Sequence, residues 1–417
     1  MPMNRLLLAF VICVSVLALA QSSPRNVDLT ASDGTPLKAS FYAANARQKP
    51  APAVILLHMC NTDRKSWTPV AEQLAAEGVS ALTIDNRGFG ESGGPHLDDA
   101  SPEVQRQIRD KWPGDFDTAF AWLLSQPGVD KNRIGAGGGS CGVNNVVKLA
   151  SRHPEIRSLV LLAGPADPSA VNYLQRNAWI PLFTSAAADD EYMNDAPQLM
   201  QWFAELTGNS RNKFVGFQDG RHGTEIFGPH PELPKQIVAF YVDTLQKKPA
   251  MASAKFTPKP TPASHFWAAA SEPGGAALAA QIFHEARNRD PNAFVFPEPM
   301  LNVLAYERLQ VAGVHVAGAD LPTQKAASPS AHDAVQAKAD ALTLFKLNTE
   351  AYPDSANAQD SLADAYLVNG QRAEALAAEQ KCLELLPNDK ANDQFKAQLR
   401  QAAEQKIAKL KGSADGQ

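Results

Sequence analysis

The sequence predicts a doubly wound α/β fold on a mostly parallel sheet, followed by an all-α region of helical repeats. Three observations predict it. From residue 27 to residue 247, short apolar runs alternate with segments of helical spacing. A stretch studded with Pro249, Pro258, Pro260 and Pro262 then breaks the pattern. Beyond about residue 271 the pattern is helical and Ala-rich, and includes one unit of 34 residues, 356–389.

The elements follow in order. Val27 to Tyr42, turning at Asp33-Gly34, predicts an opening hairpin. Ala53 to Leu57 is wholly apolar, as a strand buried on both faces must be. Ser66 to Glu77 has helical spacing, and Ala81 to Ile84 is the next strand. Phe116 to Leu124 predicts a helix with Asp115 near its start. Gly94 to Asp115 before it reads as a modest insertion able to overhang a pocket. A strand at Arg133 to Ala136, a helix at Val143 to Ser151 and a strand at Leu159 to Ala163 come next. Pro181 to Ser185 is a strand, residues 197–206 a helix, Lys213 to Phe217 the last strand and Leu233 to Leu245 the closing helix.

The chain divides accordingly into a leader (1–20), an α/β domain (21–247), a Pro-rich linker (248–270), a helical domain (271–410) and a disordered tail (411–417). In the leader, Arg5 precedes an apolar run from Leu6 to Leu19, and Ala18-Leu19-Ala20 supplies a small-x-small cleavage site. This is the order of a secretory signal peptide, so the expected destination is the periplasm or the exterior, with no membrane association after cleavage. The net charge of −5 lacks the basic excess of a nucleic-acid binder. Cys60, Cys141 and Cys382 remain after cleavage, and no Cys/His spacing suggests a metal. No cofactor is implied.

Chemistry concentrates at Gly138-Gly139-Ser140-Cys141-Gly142, placed between a predicted strand and a predicted helix. A serine on so tight a turn is lifted clear of the backbone, and the amide after it points at the same spot, where an oxyanion would form. The flanking glycines admit the close backbone approach. Alone the pentapeptide is weak, because glycine is common. Leu56-Leu57-His58 followed by Trp67, then Asp85-Asn86-Arg87-Gly88-Phe89-Gly90-Glu91-Ser92, then Phe217-Gln218-Asp219-Gly220-Arg221-His222-Gly223 give it company.

With these motifs in this order, residues 27–247 resemble the α/β-hydrolase superfamily, in its dienelactone-hydrolase-like and acyl-esterase neighbourhood. The resemblance implies a serine hydrolase without cofactor. Ser140 would be the nucleophile and His222, in the Gly-x-His-Gly setting, the base. The acid should follow the strand Pro181–Ser185, where Asp189, Asp190 and Glu191 lie together. The family's spacing favours Asp190, with Asp189 next and Glu191 third. His58 would orient the loop that supplies the second oxyanion amide. The family usually has Gly after this His; here Met59 stands there, leaving Met59 and Cys60 as candidates beside Cys141, with Cys60 favoured. Since both loops converge on that hole, Cys60 and Cys141 should be neighbours. In the periplasm they could form a disulfide, but two free thiols are the favoured expectation, since a bridge would have to meet narrow geometry without distorting the hole.

The expected reaction is acyl transfer to water from a small carboxylic ester or lactone, with acyl-peptide or thioester cleavage as alternatives. Fewer than twenty residues separate Ala163 from Pro181, too few for a large cap. In the helical domain, Leu362, Ala363, Tyr366, Gly370, Ala375, Cys382 and Pro387 resemble a tetratricopeptide repeat. Ala339–Tyr352 and residues 300–310 would form an earlier pair, interrupted by an insertion at 311–331, and residues 390–410 a polar cap. That resemblance implies a protein partner or a packing role, with a catalytically silent hydrolase fold as the competing view.

Overall fold

The computed structural model describes residues 24–45, 50–250, 256–314 and 330–412. The predicted leader, most of the 311–331 insertion and the last five residues lie outside the described residues.

Eight strands form one sheet: β1 (Arg25–Thr30), β2 (Pro36–Tyr42), β3 (Ala51–Leu57), β4 (Ser80–Ile84), β5 (Val129–Gly139), β6 (Ile156–Leu162), β7 (Leu182–Ala187) and β8 (Lys213–Phe217). Their order is β1-β2-β4-β3-β5-β6-β7-β8. The β1–β2 hairpin joins the sheet antiparallel through β4, and every later pair is parallel. All seven residues of β3 are buried, because helices cover both faces of a parallel sheet.

The helices are α1 (Thr68–Ala76), α2 (Pro102–Ser125), α3 (Cys141–Arg152), α4 (Pro168–Arg176), α5 (Ala196–Thr207) and α6 (Glu232–Tyr241), which runs into a wider turn at Val242–Lys247. Helix α2 corrects the sequence reading. It begins at Pro102, capped by Ser101, so most of the predicted insertion is helix. Asp115 lies mid-helix, buried against Arg87, rather than at a helix start. Pro113 sits inside α2, yet Trp112 anchors that turn by donating its indole N–H to the Arg87 carbonyl.

Seven helices follow: α7 (Pro262–Ser271), α8 (Ala276–Arg289), α9 (Glu298–Val311), α10 (Ala331–Ala351), α11 (Ala356–Val368), α12 (Arg372–Leu385) and α13 (Asp393–Gly412). Helix α7 begins within the stretch read as linker. Thr261 and Ser264 form a reciprocal capping box, and Pro262 at the first position has no N–H to satisfy. Helices α11 and α12 turn at Gly370, whose φ is +74°. Ala363, Ala375 and Ala378 pack there with Leu410, small side chains that let the helices approach closely.

The helical region is not a detached module. Trp202 and Phe203 of α5 share one apolar core with Phe266 and Trp267 of α7 and with Phe296 and Leu301. The indole N–H of Trp202 donates to the Val295 carbonyl at 2.9 Å, and that of Trp267 to Asn172 Oδ1 at 2.8 Å. Two buried indoles thus bridge the halves with both polar and apolar surface satisfied.

Candidate active site

Strand β5 ends at Gly139 and α3 starts at Cys141, so Ser140 alone makes the turn. Its φ of 52° and ψ of −125° are strained for a residue with a side chain, at a cost of about 1–3 kcal/mol. The turn is fixed on both sides: Ser140 N donates to the Leu162 carbonyl, and Val143 N to the Ser140 carbonyl, each at 2.9 Å. A Cβ on Gly138 would lie 2.1 Å from the Gly142 carbonyl oxygen, so nothing larger fits. Gly164, just past β6, is equally constrained, since its Cβ would lie 2.1 Å from the Ser140 carbonyl oxygen. Gly164 belongs to none of the sequence motifs; its signal is a glycine directly after the strand beside the elbow.

The loop after β8 brings His222 to this end of the sheet. A Cβ on Gly223 would come within 3.7 Å of Ser140 N, which places the residue next to His222 against the elbow. His222 Nδ1 lies 2.7 Å from Asp190 Oδ2, and both side chains are almost fully buried. The other oxygen of Asp190 accepts the N–H groups of Tyr192 and Met193, each at 2.9 Å. A carboxylate that accepts two amides on one oxygen can keep the other for an imidazole Nδ1–H, which leaves Nε2 with its lone pair.

The neighbouring acids have separate work. Asp189 Oδ1 accepts the Arg221 backbone N–H at 2.8 Å, and Glu191 pairs with the Arg221 guanidinium at 2.8 Å. Of the three acids, Asp190 is the one the structure brings to His222. The Tyr192 ring lies 4.8 Å from the His222 ring and is exposed on its other side. Sequence reasoning missed Arg221 and Tyr192. The Arg–His pair after β8, facing three acids after β7, was the available signal.

On the oxyanion side, Cys60 and Cys141 form a disulfide, with Cα atoms 5.9 Å apart. This corrects the expectation of two free thiols. The backbones on which they sit already approach closely, since a Cβ on Gly142 would lie 2.7 Å from the Leu57 carbonyl oxygen. That proximity supplies the spacing a bridge needs. The Met59 side chain is fully buried between Gly139 and Gly223, and its Sδ accepts the Thr224 N–H at 3.2 Å. Met59 therefore links the loop after β3 to both the elbow and the His222 loop.

His58 holds that loop. Its Nε2 accepts the Asn86 N–H at 2.9 Å, so Nδ1 carries the proton and donates to the Met59 carbonyl at 2.6 Å. Burial pulls the His58 pKa down, which keeps the ring neutral. Below it, Asp85 accepts the Arg64 and Glu91 N–H groups at 2.7 and 2.8 Å and pairs with the Arg64 guanidinium. Arg87 forks onto Asp115 at 2.8 and 2.9 Å and reaches Asp33 at 2.6 Å. Burial raises Asp115 above the usual carboxylate range despite this pairing. The segment between β4 and α2 packs by Phe89, whose ring is edge-on to His58 at 5.3 Å.

The acid loop also meets the helical region. Asn194 Nδ2 donates to the Lys390 carbonyl at 2.6 Å. Asp195 has a raised pKa, first from burial and then from the charge of Asp190. Away from this crevice, Asp360, Glu379 and Cys382 bring metal-type donor atoms within 4.8 Å of one another. That cluster already holds a cation: Lys406 Nζ lies 2.9 Å from Asp360, 2.7 Å from Asp364 and 3.1 Å from Glu379.

Residues 52–247 match the alpha/beta hydrolase fold family. A 31.7 kDa protein encoded in the traX-finO intergenic region of Escherichia coli is 25% identical over 211 residues, 49% of this chain and 68% of that protein. The thiohydrolase aneE of Aspergillus aculeatus is 28% identical over 135 residues, 32% of this chain and 39% of that protein. This chain thus spans well under half of the second relative. Among solved structures, the Pyrococcus furiosus esterase Pf2001 is similar at a TM-score of 0.43 and 21% identity, covering 53% of this chain and 91% of that one.

Proposed function

We propose that this chain, whose residues 52–247 match the alpha/beta hydrolase fold family, is an exported serine hydrolase that cleaves small carboxylic esters or lactones through an acyl-enzyme on Ser140. The observation that carries this reading is the 2.7 Å contact of His222 with Asp190 on a loop packed against the strained elbow. His222 Nε2 takes the hydroxyl proton of Ser140 as the oxygen attacks the acyl carbon. Asp190 holds the tautomer and balances the imidazolium charge. The oxyanion goes to backbone amides at Cys141 and at Cys60 or Met59. His222 returns its proton to the leaving alkoxide, and water repeats the sequence on the acyl-enzyme.

Thioester cleavage on the same residues is the second reading, favoured by the thiohydrolase names among the relatives. Export is supported by the Cys60–Cys141 bridge, since disulfides persist in oxidising compartments. The shared core of α5 and α7 favours a packing role for the helical region over that of a separate peptide-binding module.

The test is Ser140→Ala assayed with p-nitrophenyl acetate and a short acyl thioester, alongside fluorophosphonate labelling of the parent chain. We expect turnover to fall at least about a thousandfold with the fold retained. Undiminished turnover in the variant removes Ser140 from the mechanism. The ratio of the two substrates' kcat/KM in the parent decides between ester and thioester.

A further inference from the structure

We propose that the Cys60–Cys141 disulfide is a positioning device for acyl transfer, fixing the spacing of the two loops whose amides receive the oxyanion, so that the oxidised chain is fast and the reduced chain slow. The inference rests on the reading of Ser140 as nucleophile.

The placement carries it. Cys141 directly follows Ser140 and opens α3, so its amide is bound to the elbow. Cys60 lies two residues beyond His58, on the loop that faces the elbow across the end of β3. The two residues are 81 positions apart in sequence, yet their Cα atoms are 5.9 Å apart. Among the described residues, no hydrogen bond or ion pair joins residues 59–63 to residues 140–145. The loop after β3 is otherwise held through Met59, by His58 on its carbonyl, by Thr224 on its sulfur and by apolar packing of its side chain on Gly139. Those bonds fix it relative to Asn86 and the His222 loop. Between Cys60 and the start of α3, the covalent bridge is the directional tie, with no hydrogen bond beside it among the described residues.

Oxyanion stabilisation depends steeply on geometry. Both donors must reach the oxygen in the transition state, and a shift of about 1 Å can cost on the order of a hundredfold in rate. The ground-state carbonyl depends less on this alignment, so loss of the tie lowers kcat more than it raises KM. Both cysteines are half-buried, within reach of a small reductant. A dithiol reductant passes two electrons and two protons to the bridge, giving two protein thiols and its own cyclic disulfide. Cys382 is buried in the helical region, and burial pushes its pKa up to about 12, so it stays an inert thiol.

The experiment compares three samples of the full chain with p-nitrophenyl acetate and a fluorophosphonate label: oxidised, reduced with dithiothreitol at concentrations that leave the circular-dichroism spectrum intact, and Cys60→Ala/Cys141→Ala. The expected result is a kcat at least about tenfold lower in the reduced chain, with KM within about threefold. Replacing the reductant by oxidised glutathione, whose disulfide takes up the two electrons and two protons as the bridge re-forms, should restore kcat, and the double variant should be slow and indifferent to dithiothreitol. Should the Ala variant fail to fold, Cys60→Ser/Cys141→Ser takes its place, and the reduced parent remains an independent readout. A folded, reduced chain with unchanged kcat overturns the proposal, even if its melting temperature is lower, because it reduces the bridge to a structural staple. An oxidised chain that neither takes the label nor turns over ester overturns the serine-hydrolase reading beneath it.

Discussion

Around the crevice each buried acid meets a different base: Asp85 takes Arg64, which also reaches the exposed Glu91, Asp115 takes Arg87, which also reaches Asp33, and Asp190 takes His222. In helices α11–α13 a single lysine, Lys406, faces Asp360, Asp364 and Glu379. Neither arrangement is chosen for net stability, because desolvation offsets most of the attraction in a buried pair. What differs is how many buried carboxylates share one donor group. In the crevice each buried carboxylate has its own base or its own backbone amides, so the loops that carry Ser140, His222 and Asp190 keep one arrangement. Three carboxylates on one ammonium leave an excess that the fold meets by protonation. Glu379, fully buried, is pushed up to about 8, first by burial and then by Asp360, with Lys406 pulling the other way.

The largest expected effect breaks the crevice side. Asp190→Asn leaves an amide beside His222 Nδ1 that can hold the wrong tautomer and cannot balance the imidazolium, so kcat should fall by about 10³–10⁴. Asp189→Asn and Glu191→Gln only alter exposed contacts to Arg221, which solvent screens, so kcat should change little. Steady-state rates of the three variants with one ester separate these roles. Comparable losses at Asp189 and Asp190 would show that the loop, rather than one carboxylate, serves His222.

The next effect breaks the helical side. Lys406→Met strands the three carboxylates, and stability should fall by about 3 kcal/mol at neutral pH. In the parent, Glu379 keeps its proton in the fold up to about pH 8, whereas the unfolded chain gives it up near 4.5. The folded state therefore binds the extra proton between those values, and this group's contribution declines as pH rises from about 4.5 towards 8. Asp130 and Asp167, held below the usual carboxylate range, act oppositely and only in acid. The melting temperature should accordingly be lower at pH 9 than at pH 6, and Glu379→Gln should remove most of that difference. A parent that melts equally at both values would show that Lys406 satisfies all three acids.

The contrast also separates what was legible in the sequence from what was not. The strands were readable because a buried parallel strand must be apolar throughout, as in Val54-Ile55-Leu56-Leu57. The elbow and the His222 loop were readable because close backbone approach at Gly138, and a positive φ against the buried Met59 sulfur at Gly223, both demand glycine. The choice among Asp189, Asp190 and Glu191 was not, since it turns on which way each successive side chain projects. Only the family's spacing favoured Asp190. The start of α2 was missed because Pro113-Gly114 reads as a breaker, whereas Trp112 and the Arg87–Asp115 pair hold that turn together. The disulfide depends on a Cα spacing that no local pattern encodes. The join between the halves was hidden likewise, because prolines that suggest a linker also suit the first turn of a helix, as Pro262 does.

The smallest expected effect lies where the two regions meet. Asn194 follows the Asp190 turn and donates to the Lys390 carbonyl, the polar tie from the acid loop to the end of the helical array. That bond is exposed, and an exposed hydrogen bond is worth about 0.5–1 kcal/mol once water competes for both partners. Asp190 has its own support in the Tyr192 and Met193 amides, which Asn194→Ala leaves untouched. The variant should therefore lose a fraction of a kcal/mol in stability, and its kcat should stay within about twofold of the parent. The measurement is kcat and KM at 25 °C beside a thermal melt. A kcat loss far beyond the stability loss would mean that the helical region sets the position of Asp190, and that its pairing with His222 depends on the packing of the neighbouring helices.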